Sequence, residues 1–251
     1  MPRFYCPTEL HSGLRLTLPP GVSRHVQVLR LQPGDSIVLF NGQQPGMSSP
    51  GFEHTDGEFT ATVARIGRSE VEVEVGALQD CRRESDLSVH LAVCMPANER
   101  MDWLVEKAIE LGAASIQPLM SERSVLRLSS ERAEKKRAHW QSVAIAACEQ
   151  CGGNRISPVL DVQPLSAWLQ ALPASEGREK RLLLSLGQRA GKLENEEDGN
   201  VTVIVLSGPE GGLSAQEESI AITKEFQAVS LGPRVLRAET AALVALARLT
   251  R

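Results

Sequence analysis

From Leu87 onward, near-continuous apolar runs alternate with stretches of helical period, and few folds accommodate that pattern. The runs Leu87–Cys94, Ser115–Leu119, Arg181–Leu186, Val201–Leu206 and Ala228–Leu231 read as strands buried on both faces. Between them, Asn98–Leu111, Glu131–Glu149, a segment from Ser214 and Glu239–Leu249 read as helices. Asn98 is the expected N-cap of the first and Gly112 its C-terminal stop. Strands of this kind separated by helices imply an α/β domain whose parallel sheet is covered on both sides.

The first 76 residues have a different texture. Ser36–Phe40, Glu58–Ile66 and Val71–Val75 read as short strands, punctuated by turns at Gln32–Asp35 and Pro45–Gly51. Val71-Glu-Val-Glu-Val75 alternates strictly, which places one face in a core and the other in water. Many short strands in so little chain suggest a small barrel, interrupted by a helix near Ser23–Leu31. The expected division is therefore a β domain over residues 1–77, a polar linker over 78–86 and an α/β domain over 87–251. Leu193–Asn200, rich in acid and amide, reads as a surface loop.

Bulk chemistry narrows the classes. The best apolar runs are far too short to span a bilayer, and the N-terminal residues lack the apolar core of a secretory signal. Five cysteines, an odd and scattered set, suit reduced thiols, so a cytoplasmic location is expected. The net charge of −4 is unlike that of a general nucleic-acid binder, so any contact with RNA must come from local basic patches. Arg82-Arg83 and the stretch Ser121–Arg137 are the two candidates, each equally readable as a solvated surface.

The sharpest motif is Leu206-Ser-Gly-Pro-Glu-Gly-Gly-Leu-Ser214, which follows a strand and opens a helix through the capping box Ser214-x-x-Glu217. Glycines at the carboxyl end of a strand let a ligand approach main-chain groups closely. The loop lacks the lysine and hydroxyl of a phosphate-binding P-loop, and no dinucleotide fingerprint occurs in the chain. Gly187–Leu193 has the wrong glycine spacing and a leucine where a magnesium-binding hydroxyl belongs. A second segment, Leu231–Thr240, sets Arg234, Arg237, Glu239 and Thr240 just beyond a strand, a set able to receive an anion or a nucleobase. Cys148-Glu-Gln-Cys151 has neither a second pair nor histidines at ligand spacing, so it reads as structural thiols and no metal is expected.

Taken together, several segments resemble the ribosomal RNA small subunit methyltransferase E family. They are GPEGGLS at 208–214, LGPRVLRAETA at 231–241, MDWLVEKAIELG at 101–112 and AIAACEQCGGNR at 144–155. PRFY at 2–5, HVQVLRLQPGD at 25–35 and LFNG at 39–42 carry the resemblance into the N-terminal region. It implies an N-terminal PUA-like β-barrel that engages RNA and a C-terminal SPOUT domain with a deep trefoil knot, a feature periodicity does not reveal. It further implies a homodimer that methylates N3 of a uridine in small-subunit ribosomal RNA, with S-adenosylmethionine as cofactor and free RNA or the assembled subunit as substrate.

By the same resemblance, three loops hold the cofactor through Leu184, Gly208, Pro209, Glu210, Gly211, Gly212, Leu231, Gly232, Leu236 and Arg237. Arg234 or Arg237 would stabilise the uridinate, with Glu239 as general base. RNA contacts are expected at Arg3, Arg24, Arg30, Asn154 and Arg155. Relatives often carry arginine where this chain has Gly152-Gly153, which shifts the weight in that loop to Arg155. Two other readings stand beside this one. One is a SPOUT enzyme acting on another RNA or base atom, and the other is a non-catalytic RNA- or ribosome-binding protein.

Overall fold

The structure is a computed structural model that describes residues 1–42, 57–81, 83–175, 177–187, 190–193 and 201–250. The turn expected at Pro45–Gly51, most of the acidic stretch 193–200, and Arg82 lie outside the described residues. The chain forms two compact units: Met1–Glu84 with Cys148–Ile156, and Ser85–Ala147 with Ser157–Arg251.

The first unit contains β1 (Arg3–Tyr5), β2 (Arg15–Thr17), α1 (Pro20–Val28), β3 (Ser36–Phe40), β4 (Gly57–Ile66) and β5 (Val71–Asp80). They form a five-stranded sheet in the order β1-β3-β4-β5-β2, parallel only at β1–β3. The alternation at 71–75 does what period two requires. Val71, Val73 and Val75 are buried with Phe4, Ile37 and Leu39, while Glu74 is exposed. Strand β5 continues to Asp80, three residues into the expected linker. Helix α1 begins at Pro20, ahead of the expected Ser23, because a proline with its fixed φ suits the first turn. Ser23 is instead buried inside the helix, donating to the Leu18 carbonyl at 3.0 Å.

The second unit comprises β6 (Ser88–Cys94), α2 (Asn98–Glu110), β7 (Ser115–Met120), most of α3 (Ser130–Cys151), β8 (Gln163–Pro164) and α4 (Leu165–Ala171). It continues with β9 (Glu179–Leu184), β10 (Gly191–Lys192), β11 (Thr202–Ser207), α5 (Ala215–Thr223), β12 (Gln227–Ser230) and α6 (Ala238–Leu249). Its seven strands run in the order β10-β12-β9-β11-β6-β7-β8, and every pair is parallel. The apolar strands account for this, since Val89, Leu91, Val203, Val205 and Leu206 are essentially without solvent exposure. One expectation is corrected: Ala97, not Asn98, is the N-cap of α2, with φ −56° and ψ 148°, and Asn98 already lies in the helix. The Ala97 N–H is taken up by the Glu210 carboxylate at 3.3 Å.

Candidate functional site

Strands β12, β9 and β11 are neighbours and parallel, so the loops that follow them emerge at one edge of the sheet. These loops frame a cavity of about 400 Å3. The end of β9 and the loop after it contribute Leu184, Ser185 and Leu186, and the glycine loop after β11 contributes Gly208, Pro209, Glu210 and Gly212. The segment after β12 contributes Leu231, Gly232, Arg234, Leu236 and Arg237, and the first turn of α6 closes the wall with Ala238 and Ala241. Most residues expected to hold a cofactor therefore share one cavity.

Gly211 is the exception, being absent from the cavity lining. Its carbonyl accepts from Arg123 Nη1 at 3.0 Å, and the same guanidinium nitrogen reaches the Leu213 carbonyl at 3.3 Å. Arg123 thus holds the outer side of the loop. On the inner side, a β-carbon at Gly208 would lie 3.2 Å from Leu213 N, so any larger residue there would press on the returning chain. The turn closes with Gly212, at φ +68°, donating to the Pro209 carbonyl at 2.8 Å. Beyond it the capping box is complete: Glu217 N donates to Ser214 Oγ at 3.2 Å, and Ser214 N donates to Glu217 Oε2 at 2.8 Å. The other carboxylate oxygen of Glu217 accepts from Glu122 N at 2.9 Å, tying the segment after β7 to the loop.

Arg234 and Arg237 are exposed cations on the cavity wall. Glu239 is placed differently. It is buried in the first turn of α6, is not part of the cavity lining, and has Arg100 Nε of α2 at 3.8 Å from its Oε1. Its Oε2 is buried without a hydrogen-bond partner among the described residues. Arg100 also donates to Glu210 Oε1 at 3.1 Å, so one guanidinium joins the glycine loop to the start of α6. Sequence reading did not single out Arg100, and it took Arg123 only as part of the basic stretch Ser121–Arg137, not as a support of the glycine loop. Their partners lie far along the chain, 110 residues away for Arg100 and 88 for Arg123.

Among the residues expected to contact RNA, Arg24 and Arg30 are exposed, Arg30 with φ +56° just after α1. Arg3 is not available for that role. Its Nε donates to Glu58 at 3.0 Å, and Nη1 to the carbonyls of Cys148 and Glu149 at 3.1 and 3.4 Å. Its Nη2 donates to the Gly153 carbonyl at 3.1 Å and to Asn154 Oδ1 at 2.7 Å. All five N–H donors of the guanidinium are spent inside the unit. Asn154 is buried as well, with its Nδ2 on the Cys81 carbonyl and its N–H on Glu84. Both residues bind the segment 148–156 to the N-terminal sheet. Burial alone pushes the Glu58 carboxyl up, but the hydrogen bond from Arg83 and the charges of Arg3 and Arg83 outweigh it and hold the group low.

Cys148 is buried and its Sγ donates to the Gly153 carbonyl at 3.1 Å; burial pushes its thiol up to about 12, which makes it inert. Among the described residues, no cluster of histidine, cysteine and carboxylate side chains could hold a metal, and no helix is long and apolar enough to cross a membrane.

Residues 83–250, which hold this glycine-turned cavity at the carboxyl edge of a parallel sheet, match the family model of an RNA methyltransferase domain. The relatives narrow this further. Ribosomal RNA small subunit methyltransferase E of Rickettsia conorii is 30% identical over 259 residues, covering 98% of this chain and 93% of its own. The Bacillus subtilis protein of the same name is 28% identical over 232 residues, covering 90% of this chain and 85% of its own. The crystal structure of the Neisseria gonorrhoeae protein of that name, bound to S-adenosyl methionine, superposes with a TM-score of 0.85 at 36% identity, covering 98% of this chain and 95% of that one. The chain belongs to the ribosomal RNA small subunit methyltransferase E family.

Proposed function

We propose that this protein transfers a methyl group from S-adenosylmethionine to N3 of a uridine in small-subunit ribosomal RNA. The cavity framed by the loops after β9, β11 and β12 is the observation that carries this reading. Its volume suits a nucleoside-sized ligand, Leu184, Leu231 and Leu236 offer apolar faces to a purine ring, and Gly208 brings the main chain close. The Neisseria relative, bound to the same cofactor, supports the assignment.

S-adenosylmethionine supplies an electrophilic methyl group, so the protein's tasks are positioning and charge control. Uridine N3 carries a proton at neutral pH, and its loss to solvent water leaves an anion on the base. Arg234 and Arg237, exposed on the cavity wall, are placed to stabilise that anion. Glu239 is buried behind the wall and could reach the base only after the first turn of α6 moves. The geometry favours it as the counter-charge that fixes Arg100, and with it Glu210 of the glycine loop.

The same reading assigns RNA engagement to Arg24, Arg30 and Arg155 of the N-terminal unit, whose five-stranded sheet we take to be the PUA-like barrel. It also includes a trefoil knot, which is supported by the path of α6. From β12, on the far side of β9, the chain returns to pack α6 against β6, β11 and α2. A homodimer in the cytoplasm completes the proposal, and the exposed Trp103, Leu186 and Val235 supply apolar surface for the contact. Calorimetric titration with S-adenosylmethionine tests the cofactor assignment. The wild type should bind, and Leu236→Arg, which sets a charge into the cavity at a half-buried position, should not. A wild type that shows no binding, or a folded Leu236→Arg protein with undiminished affinity, refutes it.

A further inference from the structure

Helix α3 presents a basic stripe that none of the site residues explains. Arg132, Lys135, Lys136 and His139 follow the spacing i, i+3, i+4, i+7 and so share one helical face. With Arg127 from the preceding segment, they line an open groove of about 500 Å3 that contains no carboxylate. Some of this charge is already engaged: Lys135 pairs with Glu131 at 2.6 Å, Arg127 donates to the Glu122 carbonyl at 2.7 Å, and His139 Nε2 lies 2.9 Å from Asp102. Among the described residues, Arg132 and Lys136 have no ion-pair partner. In a chain of net charge −4, such a concentration is a local departure that bulk repulsion does not cancel, because charges beyond about 10 Å are screened at 0.1 M salt.

A short stretch of chain links the groove to the glycine loop. Arg123 holds the glycine loop, and Arg127 lies four residues further on, at most about 14 Å of extended chain away. The cations are exposed or half-buried on flexible stems, which suits a long anion lying along the surface better than a lodged small ion. We infer that this groove seats the phosphate backbone of the RNA beside the target nucleotide, with Arg132 and Lys136 as the principal contacts. The inference rests on the RNA substrate proposed above.

The test uses the full chain and a labelled transcript of small-subunit ribosomal RNA, with affinity measured from 0.05 to 0.3 M salt. In the Arg132→Gln/Lys136→Gln double variant, two phosphate contacts are lost, so the slope of log affinity against log salt should flatten by about 1.4 to 1.8. The affinity gained on a ten-fold dilution of salt would then be about 25- to 60-fold smaller than in the wild type. Arg132→Lys/Lys136→Arg, which keeps both charges, should restore the slope. Melting and S-adenosylmethionine titration of the variants should match the wild type, which separates this groove from the cofactor reading. An unchanged slope in the double variant overturns the inference. So does a double variant that binds the transcript normally but loses affinity for intact small subunits, because that result assigns the groove to a ribosomal protein.

Discussion

Replacing Arg3 with alanine should destabilise the N-terminal unit rather than merely weaken RNA binding. The guanidinium makes an ion pair with Glu58 at 3.0 Å, with side-chain exposures of 12% and 7%, and donates to three carbonyls and Asn154. It also lies over the Phe40 ring at 4.5 Å. Breaking a buried pair costs about 3–5 kcal/mol when the survivor is left alone. Here Glu58 keeps Arg83 at 3.0 Å, which moves the cost to the low end, while the carbonyls of Cys148 and Gly153 and the side chain of Asn154 lose a donor. The expected loss is about 3 kcal/mol, which at a urea slope of about 2 kcal/mol/M lowers the midpoint by about 1.5 M. Tyr5 is the sole tyrosine of the chain and sits in β1, so its ring resonance reports unfolding of this unit. Arg3→Lys should recover only part of the loss, because an ammonium has three donors and no planar fork. The pH dependence has a definite sign. The Glu58 pKa is lowered on folding, so its stabilisation is complete above the unfolded value of about 4.3 and fades as pH falls through the lower folded value. In Arg3→Ala that acid-sensitive portion should shrink. An unchanged Tyr5 midpoint accompanied by weaker RNA binding would refute the structural role.

Two further outcomes concern carboxylates buried behind the cavity wall. Glu217→Ala removes the acceptor of both Ser214 N and Glu122 N, so the melting free energy should drop by about 2 kcal/mol, against about 1 kcal/mol for Ser214→Ala; equal melting temperatures for Glu217→Ala and the wild type would contradict the staple. Glu239→Gln keeps an oxygen toward Arg100, so single-turnover methylation should stay within about ten-fold of wild type, whereas loss of a true general base would cost about 10^2 to 10^4.

How much of this was legible in the sequence depended on range. The loop 208–214 announced itself because a glycine turn and a capping box are both local patterns, whereas Leu184 and Leu231 were placed beside it only by the family resemblance. Burial of charge was not legible. Arg3 and Asn154 read as polar residues available to RNA, yet their partners at Glu58, Cys148 and Gly153 meet them only in the folded unit. The same limitation hid the joining of 148–156 to the N-terminal sheet, and it hid Arg100, whose partner Glu210 is 110 residues away. Strands β8 and β10, of two residues each, are too short to show any period.

The most direct measurement of the proposed chemistry is nucleoside analysis of small-subunit ribosomal RNA, free and assembled, after incubation with the purified protein and S-adenosylmethionine carrying a labelled methyl group. The label should appear in 3-methyluridine at one site and disappear with Leu236→Arg. Label in another nucleoside would contradict the assignment of uridine N3. A protein that binds the cofactor yet leaves both substrates unlabelled would contradict the assignment of ribosomal RNA.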